Sequence, residues 1–346
     1  MDKILTIVIP TYNMERYIDK CLTSLIVEDN ELLSHLEILV VIDGAKDKSS
    51  EIAHSYESKF PNTIRVIDKE NGNYGSCVNR GLKEAIGKYI KILDADDSFN
   101  TLEFAEYLHY LLKTDADCII TDMLQIDDTG KELKRYSYEL PQKQAFGLDR
   151  LISEGAVSAM WMHCVCYRVD NLRKISYTQT EGISYTDQEW ICLPMSTVKT
   201  ILYYPKVIYK YLVGREGQTI SPEVWNKNFW MELKGLNVMM DQRENLYNDC
   251  TEEGKRYIDL RIQHRLFTCY YAFIMCFNSY EANDLMIKID KRLKKFDNCL
   301  YENMANNCKA LRAIPFVKIW RISYNPNNML LCIGRFLNKI INYFRS

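Results

Sequence analysis

Over the first 122 residues, short apolar runs alternate with amphipathic stretches. Leu5–Ile9 has the length and character of a buried strand, and Tyr17, Ile18, Cys21, Leu22 and Leu25 then recur at helical spacing. Ile38–Ile42 predicts a second strand, and Ser50–Phe60 a helix that opens on a capping serine and stops at Pro61. Strands at Ile64–Ile67, Tyr89–Leu93 and Cys118–Thr121, with helices over 76–85 and 101–113, continue the rhythm. Such alternation predicts an α/β fold whose mostly parallel sheet is flanked by helices on both faces. Ligands of such sheets sit at the carboxyl ends of the strands, so the residues just after each strand carry most of the functional information.

Beyond residue 122 the alternation breaks. Asp127-Asp128-Thr129-Gly130 marks a hairpin turn, and Ala159–Tyr167, Ile201–Tyr204 and Val207–Val213 read as strands, the last two around Pro205. After Ser221-Pro222 the pattern turns helical, with Tyr257, Leu260, Ile262, Leu266, Tyr270, Phe273 and Phe277 forming a long apolar stripe. The expected division is therefore 1–220 and a helical C-terminal extension, 221–346.

Composition narrows the class. Of 346 residues, 47% are hydrophobic and 26% charged, a globular balance. Forty-four Lys and Arg against 46 Asp and Glu leave −2, which offers no footprint for nucleic acid. The charge is uneven, because Lys309, Arg312, Lys318, Arg321, Arg335, Lys339 and Arg345 meet no acid after residue 302, giving +7 there and −9 elsewhere. Twelve cysteines are too dilute for a disulfide scaffold, and most sit in apolar runs. Cys164 and Cys166 would point to opposite faces of a strand, and no second pair supports a zinc site. A reducing cytoplasm is the expected location. The N-terminus runs straight into a strand pattern rather than a signal peptide. The longest apolar-rich stretch, Leu266–Phe277, is shorter than the roughly 20 residues a membrane span needs.

Four successive strand ends are polar. They read Pro10-Thr11-Tyr12-Asn13, Asp43-Gly44-Ala45-Lys46-Asp47, Asn71-Gly72-Asn73-Tyr74-Gly75-Ser76 and Asp94-Ala95-Asp96-Asp97. Three carboxylates within four residues repel one another unless a cation or water screens them. A hard divalent ion, magnesium or manganese, suits one or two such carboxylates and completes its shell with phosphate and water. The bland reading is a solvated turn with Asp97 or Ser98 capping the next helix. Asp43 is open to two readings as well, an Asp-Gly turn or an acceptor for a uracil imide or ribose hydroxyl. Tyr12 can stack on a base or fill core. The chain lacks a P-loop, and it lacks Gly-x-Gly-x-x-Gly after the first strand.

Taken as an ordered set over residues 4 to about 122, these motifs resemble the family 2 glycosyltransferases, which have the GT-A fold. The resemblance implies a nucleotide-sugar donor, usually a UDP-sugar, a divalent cation (Mn or Mg), and transfer with inversion at the anomeric carbon. It makes 1–122 the nucleotide-binding half and 123–220 the acceptor half. Carried over by residue, it implies that Pro10, Tyr12 and Asp43 hold the nucleoside, while Asn73, Ser76 and Asn79 border nucleotide and donor sugar. Asp94 and Asp96 match the family's Asp-x-Asp pair, Asp94 toward ribose or sugar and Asp96 toward the metal, with Asp97 outside the first shell. Ala45 departs from the serine that often follows Asp-Gly.

In the second half, Glu181 to Trp190 resembles the family's Glu-Asp element, with Thr186 in place of the usual Glu. Asp187 is the candidate general base that takes the acceptor hydroxyl's proton, although it could simply cap the following helix, and Glu189 competes for the role. Arg215 and Gln218, in a Gly-flanked segment running to Ser221, are candidates for the donor diphosphate or an ordinary surface loop. His163 would border the acceptor or sit in core. The acid-free segment 303–346 mixes Leu, Ile, Phe and Trp with Lys and Arg. It can lie on an anionic membrane surface or pack on the 257–277 helix.

The expected function is transfer of a sugar to a saccharide or lipid-linked saccharide acceptor in bacterial surface polysaccharide synthesis, in the cytoplasm or at the inner face of the membrane. Two alternatives stand beside it. A non-catalytic nucleotide-sugar-binding assembly partner would share the fold. A sugar nucleotidyltransferase would need a glycine-rich, Arg-containing loop after the first strand, which Pro10-Thr11-Tyr12-Asn13 is not.

Overall fold

The computed structural model describes residues 2–215, 218, 222–247, 250–276, 281–310 and 313–343. Nine strands form one sheet: β1 (Leu5–Thr11), β2 (Leu36–Asp43), β3 (Ile64–Lys69), β4 (Tyr89–Ile92), β5 (Ser98–Phe99), β6 (Cys118–Ile126), β7 (Glu132–Tyr136), β8 (Val165–Arg168) and β9 (Ile201–Leu212). Their order is β3-β2-β1-β4-β8-β6-β9-β5, with β7 paired to β6. β3, β2, β1 and β4 run parallel. β8 enters antiparallel between β4 and β6, and β6 and β9 are parallel again. The sheet is mostly parallel and flanked by helices, as expected.

β1 and β2 are buried at every position, which is why they read as near-continuous apolar runs. Thr6, one of two threonines in β1, donates to Glu37 Oε2 at 2.6 Å. Pro10 is tolerated in this central strand for a geometric reason. The Val8 carbonyl accepts from Leu93 N, so even-numbered backbone groups of β1 face β4, and β4 pairs no further than Val8. The N–H that Pro10 lacks falls past the end of β4.

Several expectations are corrected. The helix Ser49–Lys59 is not capped by serine; instead Asp47 Oδ1 accepts from both Ser49 N (3.0 Å) and Ser49 Oγ (2.5 Å). The helix after β3 starts at Asn73 rather than Ser76, which carries Asn73, Ser76 and Asn79 onto one element. Ala159–Tyr167 is not one strand but a short 3-10 turn, Met162–Cys164, leading into β8. The buried Lys91 of β4 draws that turn in, donating to the carbonyls of His163 (2.7 Å) and Val165 (3.2 Å). The two strands expected around Pro205 are the single strand β9. Thr121 faces Tyr204 while Asp122 faces Val207, so Pro205 and Lys206 bulge out of register and the missing N–H is harmless. Neither Asp97 nor Ser98 caps the helix Thr101–Leu112, since Asn100 occupies that position and Ser98 lies in β5. No disulfide forms among the described residues.

The chain divides into two compact units, Met1–Gln218 with Gln242–Ile258, and Thr219–Asp241 with Asp259–Ser346. Residues 220 and 221, between which the sequence places the boundary, lie outside the described residues, as do Phe277, Arg312 and Arg345. The second unit is helical and includes Glu281–Phe296, Asn298–Asn307, Phe316–Ser323 and Met329–Tyr343. Its core holds Trp320 edge-on to Phe273 (5.7 Å) and Tyr270 (6.0 Å), with the buried Asp290 accepting from Arg321 and from the Tyr270 hydroxyl. Among the described residues, no helix is long and apolar enough to cross a membrane.

Candidate active site

The carboxyl ends of β3, β2, β1 and β4 lie side by side, so the four polar strand ends converge along one edge of the sheet. At the end of β2, Asp43 is buried, and its Oδ1 accepts from Lys69 Nζ (2.5 Å) and Gly72 N (2.9 Å). Lys69 also donates to Ser76 Oγ at 2.8 Å, which ties the ends of β2 and β3 to the helix Asn73–Glu84. Gly44 turns the chain away at φ 68°, a left-handed conformation that glycine adopts without strain. Pro10 is buried in β1, whereas Tyr12 just beyond it is 45% exposed, so its ring is accessible for stacking.

Asn73 opens its helix at φ 65°, a value asparagine accepts more readily than most side chains. Asn79 directs both amide atoms to the 179–181 segment, donating to Gln179 O (3.0 Å) and Glu181 Oε1 (2.9 Å) and accepting from Gln179 N (2.7 Å). A Cβ on Gly75 would lie 2.2 Å from Thr180 O, so only glycine permits this close approach. Asn79 and Gly75 thus fasten the loop that leads to Asp187.

The acidic turn after β4 is the centre of the site. Asp94 Oδ1 accepts from the Tyr74 hydroxyl at 2.6 Å, and Oδ2 lies 3.7 Å from His163 Nε2. Asp96 pairs with Arg215 Nε, both side chains being largely buried. Asp97 is buried, its Oδ2 accepting from the Tyr209 hydroxyl (2.6 Å) and its Oδ1 from Leu212 N (2.7 Å). Burial, reinforced by the neighbouring Asp94 charge, pushes the Asp96 carboxyl up from its ordinary range. Burial and the charges of Asp96 and Asp94 push Asp97 up well beyond it.

A divalent cation fits this chemistry. Desolvated, mutually repelling carboxylates are what a bound cation relieves, and the guanidinium on Asp96 already supplies positive charge there. Asp94, Asp97 and His163 also offer ligand atoms within 4.8 Å of one another. Asp97 is the weakest member of that trio, because each of its oxygens already accepts a hydrogen bond from β9. His163 is buried, its ring 4.7 Å from Tyr209 and 4.8 Å from Tyr211.

Asp187 is the first residue of the helix Asp187–Cys192, with Thr186 in the cap position. It is half-buried and accepts from Gln188 Nε2 at 2.7 Å. Its charge is felt at the Tyr74 hydroxyl, which Asp94 also perturbs, so Asp187 and the acidic turn share one electrostatic neighbourhood. Glu189 is fully buried and accepts from Thr180 N at 2.8 Å, which removes it from contact with an acceptor. Gln218 is buried too, accepting from Gly214 N (3.0 Å) and donating to Leu212 O (2.7 Å), so it braces the segment that carries Arg215.

Three side chains escaped the sequence reading. Tyr74 sits inside the strand-end motif Asn71-Gly72-Asn73-Tyr74-Gly75-Ser76, but nothing local tells that its hydroxyl reaches Asp94. Lys69 ends an ordinary strand. Lys91 does leave a signal, a lone lysine in the apolar strand Tyr-Ile-Lys-Ile, where only a buried partner justifies it.

Comparisons with known proteins agree with this architecture. Residues 6–176 match the family described as Glycosyl transferase family 2. The uncharacterized glycosyltransferase YibD of Escherichia coli is 23% identical over 330 residues, 91% of each chain. The minor teichoic acid biosynthesis protein GgaB of Bacillus subtilis is 35% identical over 229 residues, 65% of this chain and 25% of that protein. Several other curated relatives are matched over only 32% to 62% of their length. The crystal structure of S. aureus TarS 1-349 in complex with UDP-GlcNAc has the same fold, with a TM-score of 0.67 at 16% identity over 98% of this chain and 92% of that one. By the match over residues 6–176, the chain belongs to the family 2 glycosyltransferases.

Proposed function

We propose that this chain moves a sugar from a nucleotide-sugar donor, a UDP-sugar, to a hydroxyl of a saccharide or lipid-linked saccharide, with inversion, in the synthesis of a surface polysaccharide. The observation that carries the reading is the acidic turn after β4, with Asp43 at the neighbouring strand ends and Asp187 within its electrostatic reach. The family match and the kinship with a teichoic acid biosynthesis protein support the reaction class and the setting.

In this mechanism Tyr12 and Asp43 receive the nucleoside, with Lys69 holding the Asp43 carboxylate in place. Asp94 and Asp96 would hold a divalent cation, with His163 beside Asp94. When bound, that cation supplies positive charge to the departing diphosphate. Arg215 exchanges Asp96 for the diphosphate, which a guanidinium grips through two parallel N–H groups. Asp187 accepts the proton of the attacking acceptor hydroxyl through a carboxylate oxygen as the bond to the anomeric carbon forms and the bond to the diphosphate breaks.

The test is slow donor hydrolysis. UDP-GlcNAc, the ligand of the TarS structure, is the first donor to assay with manganese, followed by other UDP-sugars. Hydrolysis that disappears in Asp96→Ala supports the enzyme. Tight UDP binding with no turnover of any donor would identify a binding protein instead.

A further inference from the structure

The acid-free C-terminal segment divides into two parts that behave differently. In the first, Phe316, Val317 and Trp320 are buried, with Phe316 edge-on to Tyr271 at 5.8 Å and to Phe267 at 6.2 Å. That half packs on the 257–277 region. The helix Met329–Tyr343 is anchored by one face only. Leu331 is fully buried, and Gly334 sits where a Cβ would lie 3.2 Å from Ile314 Cδ1 and 3.6 Å from Met275 Cε.

The opposite face is apolar and bare. Met329 is 74% exposed, Leu330 54%, Ile333 46%, Phe336 65% and Leu337 41%. At 3.6 residues per turn these five positions fall within an arc of about 120°, one continuous stripe. A run of large apolar side chains in water is unfavourable unless something covers it.

We infer that this stripe seats the chain on an anionic lipid surface, lying in the interface rather than crossing it. Charge decides the occupant. Residues 303–346 carry seven Lys and Arg and no acid. Arg321 is neutralised internally by Asp290, but Lys309 and Lys318 are exposed. Arg335, on the striped helix itself, donates only to the carbonyls of Ile274 (2.9 Å) and Pro326 (2.7 Å) and, through its second nitrogen, to Asn327 and Cys332. Its positive charge therefore meets no carboxylate among the described residues. Apolar side chains on an acid-free segment whose Lys309, Lys318 and Arg335 meet no carboxylate among the described residues match acyl chains beneath anionic headgroups.

The experiment is co-sedimentation of the full chain with vesicles of phosphatidylcholine alone, and of equimolar phosphatidylcholine and phosphatidylglycerol, at low and high salt. The expected result is binding to the anionic vesicles at least tenfold tighter than to the neutral ones, weakened by salt. The double variant Ile333→Asp, Phe336→Asp should lose at least tenfold in affinity, and Lys318→Glu should lose less. These side chains are exposed, so an unchanged thermal midpoint and unchanged UDP binding show that the fold and the sugar-nucleotide site are intact. Equal binding to both vesicle types, no binding, or indifference to the double variant would overturn the inference. So would a concentration-dependent dimer in sedimentation equilibrium that Phe336→Asp dissociates, since the stripe would then belong to a second copy.

Discussion

Arg215 donates through Nε to Asp96 Oδ2, so a guanidinium stands where the Asp-x-Asp motif would present a carboxylate to a metal ion. Both side chains are largely removed from water, which strengthens the pair and makes the cation and Arg215 competitors for one carboxylate. Replacing Arg215 with Gln should therefore tighten Mn²⁺ binding in the absence of nucleotide by about tenfold, on the order of 1.4 kcal/mol. Donor turnover should fall in the same variant, because the diphosphate loses its guanidinium. Electron paramagnetic resonance titration of free Mn²⁺ reads the first effect. Unchanged or weaker ion binding would show that Arg215 does not compete.

Asp187 differs from its neighbour Glu189 in access rather than in chemistry. The former is half-buried and accepts from Gln188 Nε2, whereas the latter is fully buried. Asp187→Asn should lower kcat by roughly 10²- to 10⁴-fold, the range typical of a lost general base. The Kd for UDP should stay the same. A loss of UDP binding that matches the loss of turnover would assign Asp187 to donor binding instead.

The approach of Gly75 to Thr180 offers a test of how the loop before Asp187 is held. An alanine Cβ would press on a backbone carbonyl at 2.2 Å, and Asn79 already pins the adjacent Gln179. Gly75→Ala should cost ~1–3 kcal/mol, as overpacking does elsewhere. It should also lower kcat by displacing Asp187. Thermal denaturation checks the first part, and an unchanged midpoint would contradict the packing described here.

A pH effect is expected far from the site. His54 lies 2.8 Å from Asp68 Oδ2 and 2.7 Å from Glu57 Oε2. Hydrogen bonds to Asp68 and then Glu57 raise its pKa above the ordinary histidine value. A raised folded pKa means that the stabilisation is complete below about pH 6.5 and disappears as pH climbs through the folded value. The imidazole is nearly half exposed, so the contribution is a few tenths of a kcal/mol at most, roughly that of other surface pairs. Urea denaturation of wild type and His54→Asn should show a small gap at pH 5.5 that closes by pH 9. A gap that persists or widens at pH 9 would contradict the assignment.

These particulars show which features a sequence can display. β1, β2 and β4 were legible because parallel strands buried on both faces become apolar runs, and because each ends in polar residues. The acidic groups at the ends of β2 and β4 stood out for the same reason, each following such a run. What local pattern conceals is the partner across the fold. The pairing of Arg215 with Asp96, of Tyr74 with Asp94 and of Asn79 with Gln179 joins residues 119, 20 and 100 positions apart. The same blindness misplaced the strand at Ala159–Tyr167, where Lys91 bends the chain from a neighbouring strand, and divided β9 at a proline that a bulge accommodates.

The account rests on the carboxylates after β4 gathering a cation for the donor's diphosphate, and calorimetric titration of UDP with and without Mn²⁺ tests this most directly. In the wild type the ion should tighten UDP binding at least tenfold, and in Asp96→Asn that gain should vanish while the fold stays intact. UDP binding that ignores the ion, or a gain from Mn²⁺ that survives in Asp96→Asn and in Asp94→Asn alike, would contradict it.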